Sequence, residues 1–361
     1  MRVGSAKVVL LILTLGVVAA GCEASEVDGT DLRGVFAASS SSGAAGGRRA
    51  APVGERPADH RIVSRARPIP VQESCLAPRG KPAEPSTRVA KRPTCHGARV
   101  LEFRDPVDVP RYGCVYEPGP AADEGLPLVV FLHDVFDDPS AIYRKTRLRR
   151  WFRKFDLSGD PERPGFAILA VQARRIGAHL RWDTAYHGPE HPDVDAIGRF
   201  VDRLVEEGVA DPSRIYVLGA GRGGEMANLF AFARPDRVAA FGTFAAAPSE
   251  VQWSCDGNEP PPVAVLYRAC DGTTACSTVE RWLERRRDGN EPTFALRLGQ
   301  GSQEEPSCAL SRRACGPKRG AANHQRWPKR REKDVLRYLG RFRLEGAAFR
   351  HARARAVGRV R

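Results

Sequence analysis

The sequence has no apolar run long enough to cross a bilayer. Its longest, Val8 to Ala20, falls short of the roughly 20 residues a spanning helix needs. There is no paired C-x-x-C, so the usual zinc-ribbon and zinc-finger frameworks are excluded. There is no internal repeat. Lysine is scarce, and arginine supplies nearly all of the formal charge of +14. No nucleic-acid-binding motif accompanies that charge, so it reads as arginine-rich composition and no nucleic-acid partner is expected. What is present is ordinary for a folded protein: 361 residues, 42% hydrophobic and 28% charged, enough for one large or two medium domains with a real core.

Residues 1–22 read as a targeting segment. Arg2 and Lys7 precede the apolar run, and Ala19-Ala20-Gly21-Cys22 closes it with small residues before a cysteine. Two readings follow: lipidation of Cys22, which would anchor the chain to a membrane surface, or simple secretion with cleavage near Ala20. Eight further cysteines (Cys75, Cys95, Cys114, Cys255, Cys270, Cys276, Cys308, Cys315) form an even set, as expected of four disulfides in an exported chain. The close pairs Cys270/Cys276 and Cys308/Cys315 could each close a short loop, although spacing does not dictate connectivity. Residues 23–91, rich in Ser, Ala, Gly, Pro and Arg, lack periodicity and are expected to be a flexible tether, with Cys75 available to pin its end. Residues 92–343 should form the folded domain, and 344–361 a basic, frayed tail.

Within that domain strand and helix patterns alternate. Continuous apolar runs at Leu126–Leu132 and Phe166–Val171 are expected to be strands buried on both faces. Tyr112–Tyr116, Ile215–Leu218, Val238–Ala247, Pro262–Tyr267 and Phe294–Leu298 complete the strands. Helices are expected over Ile142–Phe155, Asp195–Glu207, Ser277–Arg286 and Glu332–Phe342. This βαβ rhythm predicts a mostly parallel sheet with helices on both faces.

The strand Ile215–Leu218 runs into Gly219-Ala220-Gly221-Arg222-Gly223-Gly224 and then a helix-compatible run from Glu225 to Phe232. That is the outline of a nucleophile elbow, where G-x-S-x-G presents a serine on a strand-to-helix turn. Here the position of the hydroxyl is Gly221, which has no side chain to attack with. The partners of such a serine follow it in the order acid, then His. Asp271, after the strand Pro262–Tyr267, and His324, expected in a loop before the last helix, fit that order.

Several segments together, in order and spacing, carry a resemblance. They are Leu128 to His133 followed by Asp134, Asp211-Pro212-Ser213-Arg214-Ile215-Tyr216-Val217, Gly219 to Gly224, Pro235-Asp236-Arg237, and His324 with Trp327-Pro328. From about Tyr112 to Gly340 the chain resembles the polyhydroxybutyrate depolymerase and feruloyl esterase group of α/β-hydrolases. The resemblance implies the α/β-hydrolase fold and a secreted carboxylic ester hydrolase working through an acyl-enzyme. In it a serine would attack, His324 would carry the proton and Asp271 would orient His324. It also implies two departures. Gly221 stands where the serine belongs, and Asp134 replaces the glycine that follows the first His, near one oxyanion donor. The other donor would be the backbone N–H of Arg222. A carboxylate there is expected to repel a developing oxyanion.

Other candidates are weaker. Ser140 and Ser249 lie in loops but in no elbow. His133 reads as strand-end packing and Trp182 as core. The loop Tyr186 to Asp193 brings His187 and His191 near carboxylates, a possible metal set, though without helical ligand spacing. The basic stretch Arg144 to Lys154 is either a solvated face or one that meets an anionic lipid or polysaccharide. The expectation is therefore an exported, cell-envelope or extracellular α/β-hydrolase-fold protein with no cofactor. It would be unable to use serine chemistry and would bind a small-molecule ester, glycan or polymer in the old cleft. The alternatives are an active esterase using His324 and Asp271 with water or an unconventional nucleophile, and a structural envelope protein with a filled cleft.

Overall fold

The computed structural model describes residues 61–63, 80–85, 89–119, 125–162, 164–188, 190–246, 260–299, 301–308 and 315–345. The targeting segment with Cys22, most of the tether with Cys75, Ser249, Cys255 and nearly all of the basic tail lie outside them. In chain order the elements are β1 (Arg61–Val63), β2 (Arg99–Arg104), β3 (Pro110–Tyr116), β4 (Leu126–Leu132), α1 (Ala141–Arg144), α2 (Leu148–Trp151), β5 (Ala167–Val171), β6 (Arg175–Ile176), β7 (His179–Leu180), α3 (Pro192–Glu206), β8 (Ala210–Ala220), α4 (Arg222–Ala233), β9 (Ala240–Phe244), β10 (Val263–Arg268), α5 (Cys276–Asp288), β11 (Thr293–Leu298), α6 (Pro317–Gln325), α7 (Glu332–Leu339) and β12 (Phe342–Leu344).

Eight strands form one sheet in the order β2-β3-β5-β4-β8-β9-β10-β11. β3 runs antiparallel to both of its neighbours and all the other pairings are parallel. The central strands are buried on both faces, which is why β4 and β5 are uninterrupted apolar runs. Alternate residues feed two cores. Leu128, Val130, Leu132 and Val217 pack with α3, α4 and α5, while Val129, Phe131, Tyr216 and Leu218 pack with α1, α2 and α7. This strand order, its single reversed strand next to the edge and the helices on both faces make an α/β-hydrolase fold.

Four local expectations are corrected. The long basic helix is two four-residue helices, because Thr146 Oγ1 takes over the backbone at the break, donating to Ile142 O and accepting from Leu148 N. Arg147 N is drawn instead to the buried Glu332 carboxylate at 2.6 Å. Strand β8 begins earlier than Ile215, with a register shift opposite Leu126/Leu128 that accommodates Asp211 to Arg214. The last helix stops at Leu339, and β12 follows it, pairing in parallel with β1 inside the stretch expected to lack structure. Residues near 83 are also tied to the body, with Ala83 N donating to Asp183 Oδ2 at 2.6 Å.

Among the described residues the disulfides are Cys95–Cys114, Cys270–Cys315 and Cys276–Cys308. Neither expected short-loop pair forms. Each cysteine of those pairs instead joins a partner from the other segment, because β10, α5 and α6 bring the two segments together. Three disulfides are those of an oxidising compartment. Among the described residues no helix is long and apolar enough to cross a membrane.

Candidate functional site

Gly221 sits at a strand-to-helix corner. It is the N-cap of α4, with φ +50° and ψ −122°, a conformation that L side chains rarely adopt. Its N–H donates to Phe244 O at 2.8 Å, and its carbonyl accepts from Gly224 N at 2.9 Å as the helix starts. The flanking glycines permit a close approach. A Cβ on Gly219 would stand 2.6 Å from Gly224 N, and one on Gly223 would stand 2.6 Å from the carbonyl carbon of Leu132. The strand-to-helix turn is thus complete as backbone, and the residue at its tip is a glycine.

The tip is not empty space. A Cβ added to Gly221 would overlap Asp134 Oδ1 and lie 2.6 Å from Asp134 Oδ2. Asp134 leaves the C-terminal end of β4 and turns its carboxylate over the elbow. Oδ1 accepts the backbone N–H of Arg222 at 3.0 Å and that of Val135 at 2.8 Å. These N–H groups come from the residue after the elbow tip and from the loop after β4, the two positions that supply an oxyanion hole in this fold. The Asp134 carboxylate, expected to lie near an oxyanion donor, is itself the anion that these two N–H groups hold. Val135 was invisible to sequence reasoning, because its contribution is a backbone N–H that any residue but proline has.

His324 completes the cluster. It lies in the last turn of α6, not in a loop as expected. Its Nδ1 is 3.0 and 3.1 Å from the two oxygens of Asp271, and its Nε2 is 3.6 Å from Asp134 Oδ2. Burial alone would lower the His324 pKa, but the contacts with Asp134 and Asp271 outweigh it and push the value up to about 9. Burial would raise Asp134, and the His324 contact with the two N–H groups more than offsets that, holding it below the usual carboxylate range. An imidazolium is thus clamped between two carboxylates.

The frame behind this cluster is built in. Asp271 accepts the N–H groups of Thr273 and Thr274, both at 2.8 Å. The Cys270–Cys315 bond ties the residue before Asp271 to the approach to α6. Gly272 and Gly320 face each other so closely that a Cβ on Gly320 would stand 2.8 Å from Gly272 Cα. Arg268, 1% exposed, donates to the carbonyls of Asn323, Gly299, Gly301 and Arg326, and so fixes the end of α6 that carries His324. Burial lowers the Arg268 pKa to about 10. Its position just before the Cys270–Asp271 turn is the only sequence signal that could have found it.

The other candidates take structural places. His133 is buried. Its Nδ1 meets Asp134 O at 2.7 Å and its Nε2 accepts Ala173 N–H at 3.1 Å, so it shapes the loop that aims Asp134. Burial lowers its pKa, which fits a neutral ring. Trp182 is core and donates to His133 O. Ser140 Oγ is held by Arg144 Nε at 2.6 Å, outside the cluster. His191 caps α3: its Nδ1 accepts from Asp193 N and Val194 N while Nε2 faces Asp183 O at 2.9 Å. Both of its ring nitrogens are engaged, which removes it as a metal ligand. The His187 Nε2 faces Thr184 O at 3.3 Å. Two residues after Asp134, Phe136 is 69% exposed and lies beside the His179 ring at 5.2 Å. Arg222 reaches Thr184 and Glu225.

No protein-family model and no curated protein matches the sequence. Solved structures similar to the chain include a thermostable esterase, at 18% identity and TM-score 0.49, over 69% of this chain and 64% of that one. The chain thus spans less than two thirds of that esterase. FphF, a fluorophosphonate-binding serine hydrolase of Staphylococcus aureus, is 11% identical with TM-score 0.47, covering 67% of this chain and 97% of its own. S-formylglutathione hydrolase (FrmB) from Staphylococcus aureus is 12% identical with TM-score 0.47, covering 67% and 98%. Strand order and the elbow, rather than these likenesses, place the chain in the α/β-hydrolase fold.

Proposed function

We propose that this is an exported ligand-binding protein on an α/β-hydrolase scaffold whose ester-hydrolase chemistry has been shut off from within. The observation that carries the reading is the Asp134 carboxylate, which takes both oxyanion donors and the space a side chain on Gly221 would need. A substrate carbonyl would have to displace a buried, hydrogen-bonded, ion-paired anion to be polarised, and no hydroxyl would await it. The sequence resemblance to polyhydroxybutyrate depolymerases and feruloyl esterases supports an ester, aromatic glycan conjugate or polymer as the class of ligand. Phe136 and His179 supply ring surface for it. The leader ending in Cys22 supports lipid anchorage in the cell envelope.

A second reading, an esterase that uses His324 and Asp271 to activate water, is favoured by their 3.0 Å contact in triad order. It is weakened by the His324 pKa of about 9, because an imidazolium at neutral pH has no lone pair with which to take a proton.

Hydrolysis of p-nitrophenyl acetate and of a feruloyl ester by the purified protein separates the two. The binding reading expects wild-type rates no higher than those of His324→Ala at pH 7. It also expects no gain in Gly221→Ser, and a gain only when Gly221→Ser is combined with Asp134→Gly, which frees both the space and the donors. Wild-type turnover that disappears in His324→Ala would overturn it.

A further inference from the structure

The site above leaves unused the basic stretch Arg144 to Lys154. Part of it lines an open cleft of about 500 Å³ together with Gly97 and Glu117. Arg149, Arg150, Arg153 and Lys154 all border this cleft, and among the described residues none of the four has an ion-pair partner. Glu117, the one carboxylate among the residues lining it, is paired with Arg99 at 2.8 Å, and Arg99 also pairs with Glu207. The Arg149 guanidinium lies over the Tyr116 ring at 4.8 Å and the Tyr143 ring at 5.7 Å, and its buried Nε finds no acceptor. Those rings hold the fork in place without neutralising it. The turn carrying Gly97 is fixed too. The Cys95–Cys114 bond pins the turn at 95–98 to β3, His96 packs edge-on against Tyr143 at 5.0 Å, and a Cβ on Gly97 would stand 3.5 Å from Arg149 Nη2.

We propose that this cleft binds a soluble phosphate-bearing small molecule, with Arg149 as the bidentate anchor and Arg150, Arg153 and Lys154 as surrounding counter-charges. Four cations without an ion-pair partner among the described residues, around one concavity, call for an anion of more than one charge. A planar fork backed by two rings suits phosphate oxygens. The concavity is of the size that takes small ligands, and a flat lipid surface needs no cleft.

Titration calorimetry of the full chain with inorganic pyrophosphate tests this, with phosphatidylglycerol vesicles as the second arm. The expected result is saturable, salt-sensitive binding of pyrophosphate, weakened about tenfold or more by Arg149→Gln and by the exposed double variant Arg153→Gln/Lys154→Gln. The exposed double variant keeps the test decisive should Arg149→Gln fold poorly. Arg285→Gln, which removes one charge from the exposed face of α5, should leave the affinity unchanged. Absence of saturable binding, equal weakening in Arg285→Gln, or binding to the vesicles alone would each overturn the proposal.

Discussion

Asp134 lies against Gly221 so closely that a single added methyl group would overlap its carboxylate. The bare glycine and the acid that covers it are therefore one feature in space, although the two residues follow different strands. The corner has a positive φ, His324 contacts both Asp271 and Asp134, and the space beside Gly221 is filled by the protein itself.

Placing a side chain at the corner should therefore cost stability in a way that depends on Asp134. Gly221→Ala meets both a positive φ, worth about 1–3 kcal/mol, and the overlap with the carboxylate. In an Asp134→Gly background only the first penalty remains. Urea unfolding of the two single variants and the double variant should give a coupling of at least about 1 kcal/mol. Strict additivity would mean that the two positions do not share the space.

The clamped imidazole predicts the pH dependence of stability. Its folded pKa of about 9 lies above the ordinary value of 6.5, so the stabilisation is complete below about pH 6.5 and is lost as pH rises through 9. The difference amounts to something on the order of 3 kcal/mol. Wild type should lose that much relative to His324→Gln between pH 6 and 10. A ring that titrates near 6.5 by NMR would contradict the clamp.

The Cys270–Cys315 bond spans 45 residues and joins the strand end bearing Asp271 to the helix bearing His324. Replacing both cysteines by serine should cost about 4 kcal/mol in the chain-entropy account. It should also lower the His324 pKa toward 6.5, because the three side chains would no longer be held in register. An unchanged histidine titration would show that Arg268 and the Gly272–Gly320 contact suffice to position α6.

Much of this was legible in the chain because it is written locally. Continuous apolar runs report strands buried on two faces, and Gly219 to Gly224 report a tight turn into a helix, since both depend only on neighbours in sequence. Asp271 and His324 could be singled out for the same reason, one after a recognisable strand and the other before the last helix, and the structure brings them to 3.0 Å of each other. Other features escaped. The disulfide pairing was misjudged because short spacing says nothing about which segments the sheet brings together. Thr146 and Glu332 broke a helix whose own pattern was continuous. His191 looked like a ligand until its two nitrogens were both found engaged.

By itself the sequence determined that this is a parallel-sheet α/β protein, and that glycine occupies the corner where a hydroxyl is needed. Only the tertiary structure decided what stands against that glycine. The Asp134 carboxylate and the Arg222 N–H that receives it are 88 residues apart, and no local pattern links them. They meet because β4 and β8 are neighbours in the sheet, and two backbone N–H groups and an imidazolium can hold an anion there because Gly221 carries no side chain to exclude it.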